Sequence, residues 1–378
     1  MTEQDRSAAV VAGAKAPAPE AGQGSPAAQG LRNGARVRRR AGPVYAALDL
    51  GTNNCRLLIA KPSDDGFRVV DGFSRIVRLG ESLSRTGMLT EGAMGRTLEA
   101  LAQCKARLDA HEVKAGRFIA TEACRAAGNA PAFLKRVKDE IGIELEVVDR
   151  RTEAELAVTG CADLVDPAAT GVVLFDIGGG STELAWLDFR GGRPKSRGRM
   201  AASIRSWQSL PVGVVSIAEK FGGKDVTPET YAEMVGHVSA LLKRFRGRDK
   251  LTHAVGAKTM HLVGTSGTVT TLAGLHLGLE RYDRAKVDGL WMGESEVADT
   301  MRVLLAMDYE KRVANACIGR DRADLVIPGC AIFEAIRQEW PCERVRVADR
   351  GLREGILISQ MAQDRVWSRR RSGGRRHG

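Results

Sequence analysis

An α/β fold of two related lobes facing each other across a cleft follows from three features of this 378-residue sequence. Short apolar runs alternate with stretches of helical periodicity. A hydrophobic content of 43% over this length fills more than one small core. One strand-turn segment also recurs: Val44–Ala60 reads apolar run, Asp49-Leu50-Gly51-Thr52, apolar run, and Val172–Leu187 reads apolar run, Asp176-Ile177-Gly178-Gly179-Gly180, apolar run. The two aspartates lie 127 residues apart. Solenoid units repeat every ~20–50 residues, so so long a period marks duplicated lobes, with the site expected in the cleft between them.

In chain order, the pattern predicts strands near Tyr45–Leu48, Cys55–Ala60 and Phe67–Phe73, a helix over Gly92–Asp109 and a strand at Arg117–Ala120. A helix from Pro131, a strand at Glu144–Val148 and a helix from Thr152 complete the first unit. The first lobe is expected at 43–165 and the second at 166–362, with the last helices able to pack back on the first. Residues 1–42, rich in Ala, Gly and Pro and ending in Arg36–Arg40, and the basic segment 363–378 bury too little apolar surface to repay ordering, and are expected to be disordered. The arm carries seven basic and three acidic groups and residues 365–378 carry six basic ones, so the tails hold +10 of the net charge of +11. The body is near neutral, which argues against a specific nucleic-acid surface.

No stretch reaches the length of a bilayer span, and the N-terminus lacks an apolar signal core, so a soluble, cytoplasmic protein with no membrane partner is expected. The seven cysteines are scattered and never form a CxxC pair, which predicts reduced, mostly buried thiols. The six histidines show no zinc-ligand spacing.

Each Asp-Gly turn ends a buried strand and is followed by small residues, which permit a tight hairpin with outward backbone N–H groups that favour anions. One copy alone reads equally well as an ordinary hairpin turn; two copies in the same apolar frame point to phosphate. A third segment, His261 to Thr268, joins an apolar strand to a Gly/Ser/Thr turn and a helical pattern over Val269–Leu277. Its Ser266 suits either a phosphate contact at a helix start or a plain N-cap.

These segments resemble the exopolyphosphatase/guanosine pentaphosphate phosphohydrolase family, within the actin-like, sugar-kinase and Hsp70 superfamily. The resemblance spans roughly residues 43–360 and rests on Asp49–Asn54, Ala120–Asn129, Asp176–Glu183, Gly264–Thr268, Val326–Ile332 and Asp349–Ile356, in that order. It implies two ribonuclease H-like lobes of the actin-like ATPase type and Mg2+-dependent removal of a terminal phosphoryl group. A phosphoanhydride is densely anionic, so attack by water needs a metal, donors on the transferred group and a carboxylate to activate the water.

Carried over residue by residue, the resemblance implies Glu153 as general base, and Asp49, Asp176 and Glu183 as metal-site carboxylates. It implies phosphate contacts from Thr52, Asn53, Asn54, Arg125, Gly178, Gly179, Gly180, Ser181, Thr182, Ser266, Gly267 and Thr268. The sequence departs from the family pattern at Thr152, which stands where a first Glu is usual, with Glu155 two positions after Glu153; Asn54 stands where many members have Ser. Glu153 and Glu155 also read as ordinary helix-start carboxylates, Glu183 as an outward polar strand residue, and Arg125 as a surface arginine.

The expected substrate is inorganic polyphosphate, trimmed of orthophosphate from its end. Guanosine pentaphosphate presents the same terminal phosphoanhydride and is the alternative, as is a non-hydrolytic sensor of alarmones or nucleotides; a sugar or acetate kinase on the same lobes lacks a legible adenosine pocket. Long family members carry a helical module after the lobes, whereas this sequence stops soon after Gly351–Gln363, which suggests shorter chains or nucleotides as substrate. The resemblance and the two-lobed body allow a homodimer.

Overall fold

The computed structural model describes residues 42–64, 66–113, 115–194, 196–254 and 259–367. The basic arm up to residue 41 and the tail beyond Trp367 lie outside the described residues. Two mixed sheets organise the rest. The first holds β1 (Tyr45–Leu50), β2 (Asn54–Ser63), β3 (Gly66–Ile76), β4 (Ala115–Ala120) and β5 (Glu146–Val147) in the order β3-β2-β1-β4-β5. The second holds β6 (Gly171–Ile177), β7 (Thr182–Asp188), β8 (Ile204–Leu210), β9 (Met260–Thr265), β10 (Trp291–Gly293) and β11 (Arg344–Ala348) in the order β10-β11-β9-β6-β7-β8. In both, an antiparallel three-strand meander is extended by parallel strands from its first member: β1 pairs with β4 as β6 pairs with β9. The sequence repeat is thus a repeat of topology.

Eight helices matter for the site: α1 (Glu91–Ala110), α2 (Ala130–Ile141), α3 (Arg150–Gly160), α4 (Val214–Phe221), α5 (Pro228–Leu242), α6 (Gly267–His276), α7 (Val326–Glu339) and α8 (Leu352–Gln363). Alternation along each central strand decides what they cover. Ala46, Leu48 and Leu50 of β1 pack with Leu98 and Leu101 of α1 and Phe133 and Val137 of α2. Tyr45 and Ala47 face the other way, onto Ile356, Leu357 and Met361 of α8. In the second sheet, Val173, Phe175 and Ile177 meet α5, α6 and α7 through Met234, Leu272 and Phe333, while Val172 and Leu174 face Ala157 and Val158 of α3. Each of these buried aliphatic side chains contributes ~1.5–3 kcal/mol. Helix α3, which precedes the second sheet in the chain, therefore lies on that sheet, and the late helix α8 lies on the first. The two cross at glycines: a methyl group at Gly160 would stand 1.9 Å from the Gly351 carbonyl oxygen, and one at Gly355 would stand 2.0 Å from that of Leu156.

Two expectations change. The strand expected over Glu144–Val148 shrinks to Glu146–Val147, an exposed edge in which Arg117 grips Glu146 at 2.9 Å; an edge strand with no buried face needs little length. The basic tail does not begin at 363: α8 runs to Gln363, and the Trp367 indole N–H donates to the carbonyls of Ser63 (3.2 Å) and Gly66 (3.0 Å). Composition averaged over the tail hides one aromatic anchor. All seven cysteines are free and six are buried. Among the described residues, no helix is long and apolar enough to cross a membrane.

Candidate active site

The strand phase that sends Tyr45 and Ala47 toward α8 also sends Asp49 inward at the end of β1, and the phase of Val172 and Leu174 does the same for Asp176. The turns that follow match atom for atom: Gly51 N–H donates to the Asn54 carbonyl and Gly178 N–H to the Ser181 carbonyl, each at 2.9 Å. Across the hairpins, Asp49 is in register with Arg56 and Asp176 with Glu183. The two turns touch; a methyl group at Gly179 would lie 3.0 Å from Thr52 Cβ and 3.2 Å from Asn53 N, so any larger residue there would press the turns apart by a few tenths of an ångström.

Between them runs a cleft of about 130 Å³ lined by Asp49, Thr52, Asn53, Asn54, Glu153, Asp176, Gly178, Gly179, Gly180, Ser181, Glu183, Ser266, Gly267 and Thr268. Most of the residues singled out in the sequence, drawn from four separate segments, thus converge. Two do not line it. Thr182 alternates to the opposite face of β7 from Ser181 and Glu183, and its hydroxyl donates to the Val212 carbonyl at 2.7 Å. Arg125 stands behind the cleft, with Nη2 at 2.8 Å from both Glu122 and Glu153 and Nη1 donating to the Val148 carbonyl at 2.8 Å. A guanidinium in so buried a place is held by the carboxylates that offset its charge. Two hydroxyls are already engaged: Ser181 donates to Glu183 at 2.7 Å, beside Ser209 at 2.8 Å, and Ser266 caps α6 through Thr268 N–H at 3.3 Å. At Ser181 the backbone N–H is therefore the group left for an anion.

Glu153 sits in the first turn of α3, where Asp149 caps the helix by accepting from Thr152 N–H at 2.7 Å. It is only 8% exposed. Burial first and Glu183 second raise its pKa well above the usual carboxylate range, against the pull of Arg125. Burial, then Glu153 and Asp49, push Asp176 up to about 7. Burial and Asp176 push Glu183 up to about 7, opposed by its two serine donors. Burial also raises Asp49, with Arg56 and Arg353 pulling it back. Four crowded carboxylates that hold one another's protons form a place where a cation would be favoured.

The donor set fits magnesium, being oxygen only, and Asn53 Oδ1 is buried without a hydrogen-bond partner. Yet among the described residues no three His, Cys, Asp or Glu side chains are gathered as a ready ligand set. Asp49, Asp176 and Glu183 nonetheless all line the cleft at this place. Magnesium commonly takes one or two carboxylates and completes its shell with water and substrate phosphate, so the three need not all ligate directly.

Sequence reasoning missed the cations. A second chamber of about 280 Å³ adjoins the cleft and shares Asp49, Arg56, Asp176, Ser266, Gly267 and Arg322 with it. Arg56, Arg322 and Arg353 line it half-buried, and among the described residues none has a carboxylate in ion-pair contact. Arg56 was legible as the residue opposite Asp49, at the place where the second hairpin carries Glu183. Arg353 lies inside the Asp349–Ile356 motif. Arg322, in the loop before α7, gave no signal.

A model of the Ppx/GppA phosphatase family matches residues 58–364. The chain belongs to this family. Ppx/GppA phosphatases typically use a divalent metal. Exopolyphosphatase 2 of Mycobacterium tuberculosis is 29% identical over 334 residues, covering 83% of this chain and 97% of that protein. A bifunctional 3-dehydroquinate synthase/phosphatase of Fusobacterium nucleatum is 28% identical over 329 residues, covering 83% of this chain and 46% of that protein. Among solved structures, the Aquifex aeolicus Ppx/GppA family member has a TM-score of 0.68 at 29% identity over 85% of this chain and 98% of its own. An exopolyphosphatase from Cytophaga hutchinsonii has a TM-score of 0.73 at 26% identity, again over 85% and 98%. The chain is thus a phosphatase of the Ppx/GppA family, with the α/β fold of two mixed sheets in two lobes seen in its solved members.

Proposed function

We propose that this chain is an exopolyphosphatase, releasing orthophosphate from the end of inorganic polyphosphate by magnesium-dependent hydrolysis. The observation that carries the reading is the meeting of two glycine turns on one cleft wall beside a buried and strongly perturbed Glu153. The N–H groups of both turns would hold the oxygens of the terminal phosphoryl group. Glu153, whose ionised form Arg125 favours against burial and Glu183, takes the proton of a water whose oxygen attacks the terminal phosphorus. The bridging P–O bond breaks, and its electron pair leaves with the shortened chain. Asp176 and Glu183, together with Asp49, would hold magnesium, which would supply positive charge against the phosphate oxygens. Arg56, Arg322 and Arg353 stand where the next phosphates would lie, and give each a planar fork of donors.

The adjoining chamber favours a second reading, hydrolysis of guanosine pentaphosphate: its arginines could take the remaining phosphates, and Tyr282 and Leu352 on its wall offer surface to a nucleoside. Orthophosphate release from short polyphosphate, long polyphosphate and guanosine pentaphosphate separates the two. Negligible release from all three would defeat both and leave a binding protein. For the mechanism, Glu153→Gln with magnesium should lose turnover by about 10²-fold or more with substrate binding retained; near-normal turnover removes Glu153 from its role.

A further inference from the structure

Each phosphate turn is braced from outside by a neighbouring segment. Behind the first, the Asn53 carbonyl accepts from Val77 N–H (2.9 Å) and Arg78 N–H (3.0 Å), and the Thr52 carbonyl accepts from Gly80 N–H (2.9 Å). The fit is close: a methyl group at Gly80 would fall 2.2 Å from Thr52 Cγ2. Behind the second, Val214 N–H and Val215 N–H of α4 donate to the carbonyls of Gly178 (3.0 Å) and Gly179 (2.8 Å).

The two braces are joined to the opposite lobe. The Arg78 guanidinium donates to both carboxylate oxygens of Asp324 at 3.2 Å and to the Asp321 carbonyl at 3.3 Å. Glu219, on α4, accepts from Ser82 N–H at 2.8 Å and from the Ser84 hydroxyl. Asp324 stands between Arg322 and Leu325, which both line the cleft. Arg78 and Ser82 have φ of 48° and 62°, left-handed values that residues other than glycine seldom adopt and keep only where surrounding contacts hold them.

We propose that Arg78, Asp324, Ser82 and Glu219 are positioning residues, forming a clasp across the rim that holds the two phosphate turns at their working separation. The proposal rests on the reading of the cleft as a phosphate site. None of the four lines the cleft or the adjoining arginine chamber. The clasp therefore acts by raising the closed fraction of the free protein, and apparent substrate affinity follows that fraction. Each exposed contact is weak alone, so losing one half of the clasp should cost about 3- to 10-fold in affinity while the chemistry of the closed state is unchanged.

The test uses the full chain with spin labels at Lys135→Cys and Arg302→Cys, exposed positions on opposite lobes, in a Cys342→Ser background. Asp324→Arg should add longer inter-label distances and raise KM for phosphate release about 3- to 10-fold with kcat within about twofold. Arg78→Asp combined with Asp324→Arg should restore both, since aspartate tolerates a left-handed backbone. Glu219→Ala, an exposed change that leaves the ion pair in place, should widen the distances in the same sense. Unchanged distances in Asp324→Arg and Glu219→Ala, or no recovery in the charge swap, overturn the clasp. Absence of phosphate release from every form, the unmodified chain included, defeats the catalytic reading instead and leaves the distances to decide the clasp.

Discussion

The hairpins Asp49–Arg56 and Asp176–Glu183 share register, turn hydrogen bond and a half-buried aspartate, and differ in the residue that faces that aspartate. In the first it is an arginine, whose charge pulls Asp49 back against burial, so the turn can serve an anion. In the second it is a carboxylate, so two acids share a buried space and both sit near pKa 7. A duplicated backbone unit has thus acquired two electrostatic characters from one change of side chain: one half suits phosphate, the other a cation.

Making the hairpins alike should have the largest effect. Glu183→Arg removes the acidic pair and should lower magnesium-dependent turnover by about 10²-fold or more; the milder Glu183→Gln should raise the magnesium concentration for half-maximal activity by about 10- to 100-fold. Titrations of activity against magnesium read both, and an unchanged magnesium requirement would remove the distinction drawn here. The converse change, Arg56→Ala, should raise KM by roughly tenfold with kcat little altered, as expected for one charge-assisted contact to phosphate.

The acidic pair also predicts a pH dependence of stability. Asp176 and Glu183 hold folded pKa values near 7, above the ordinary 3.8 and 4.5. Folding therefore favours their protonated forms, and their contribution is fully present below pH 4 and lost as pH rises toward 7 and beyond. In the presence of a chelator, Tm should fall between pH 5 and pH 8, and Glu183→Gln should flatten that fall. Magnesium should raise Tm more at pH 8 than at pH 5; an equal rise at both would mean that these carboxylates do not receive it. The smallest effect belongs to Asn54, the counterpart of Ser181. Asn54→Ser should change kcat/KM by no more than about threefold, altering the ratio between polyphosphate and guanosine pentaphosphate more than either rate.

Much of this was legible because the strongest signals are local. Alternation around Asp49 and Asp176 marks two central strands, and the glycines after them admit only tight turns. The ties that give the site its chemistry are long-range and left little local trace. Arg125 was read as a phosphate contact because a fork of donors suits phosphate, yet burial and the acids around it give that fork to Glu122 and Glu153. Ser181 read as a free donor until Glu183, two residues on, took its hydroxyl. Arg322 reaches the cleft from a loop without periodicity, and nothing in α3 announces which sheet it will cover.

That exchange of helices has a mechanical meaning. Where α3 and α8 cross, backbone meets backbone at Gly160 and Gly355, with no side chains to interlock. Such a joint resists separation but opposes rolling weakly, like the rivet of a pair of scissors. Any rotation between the sheets would be least at the rivet and greatest at the far edge, so a few degrees beneath the carboxylates become ångströms at the rim where Arg78 meets Asp324.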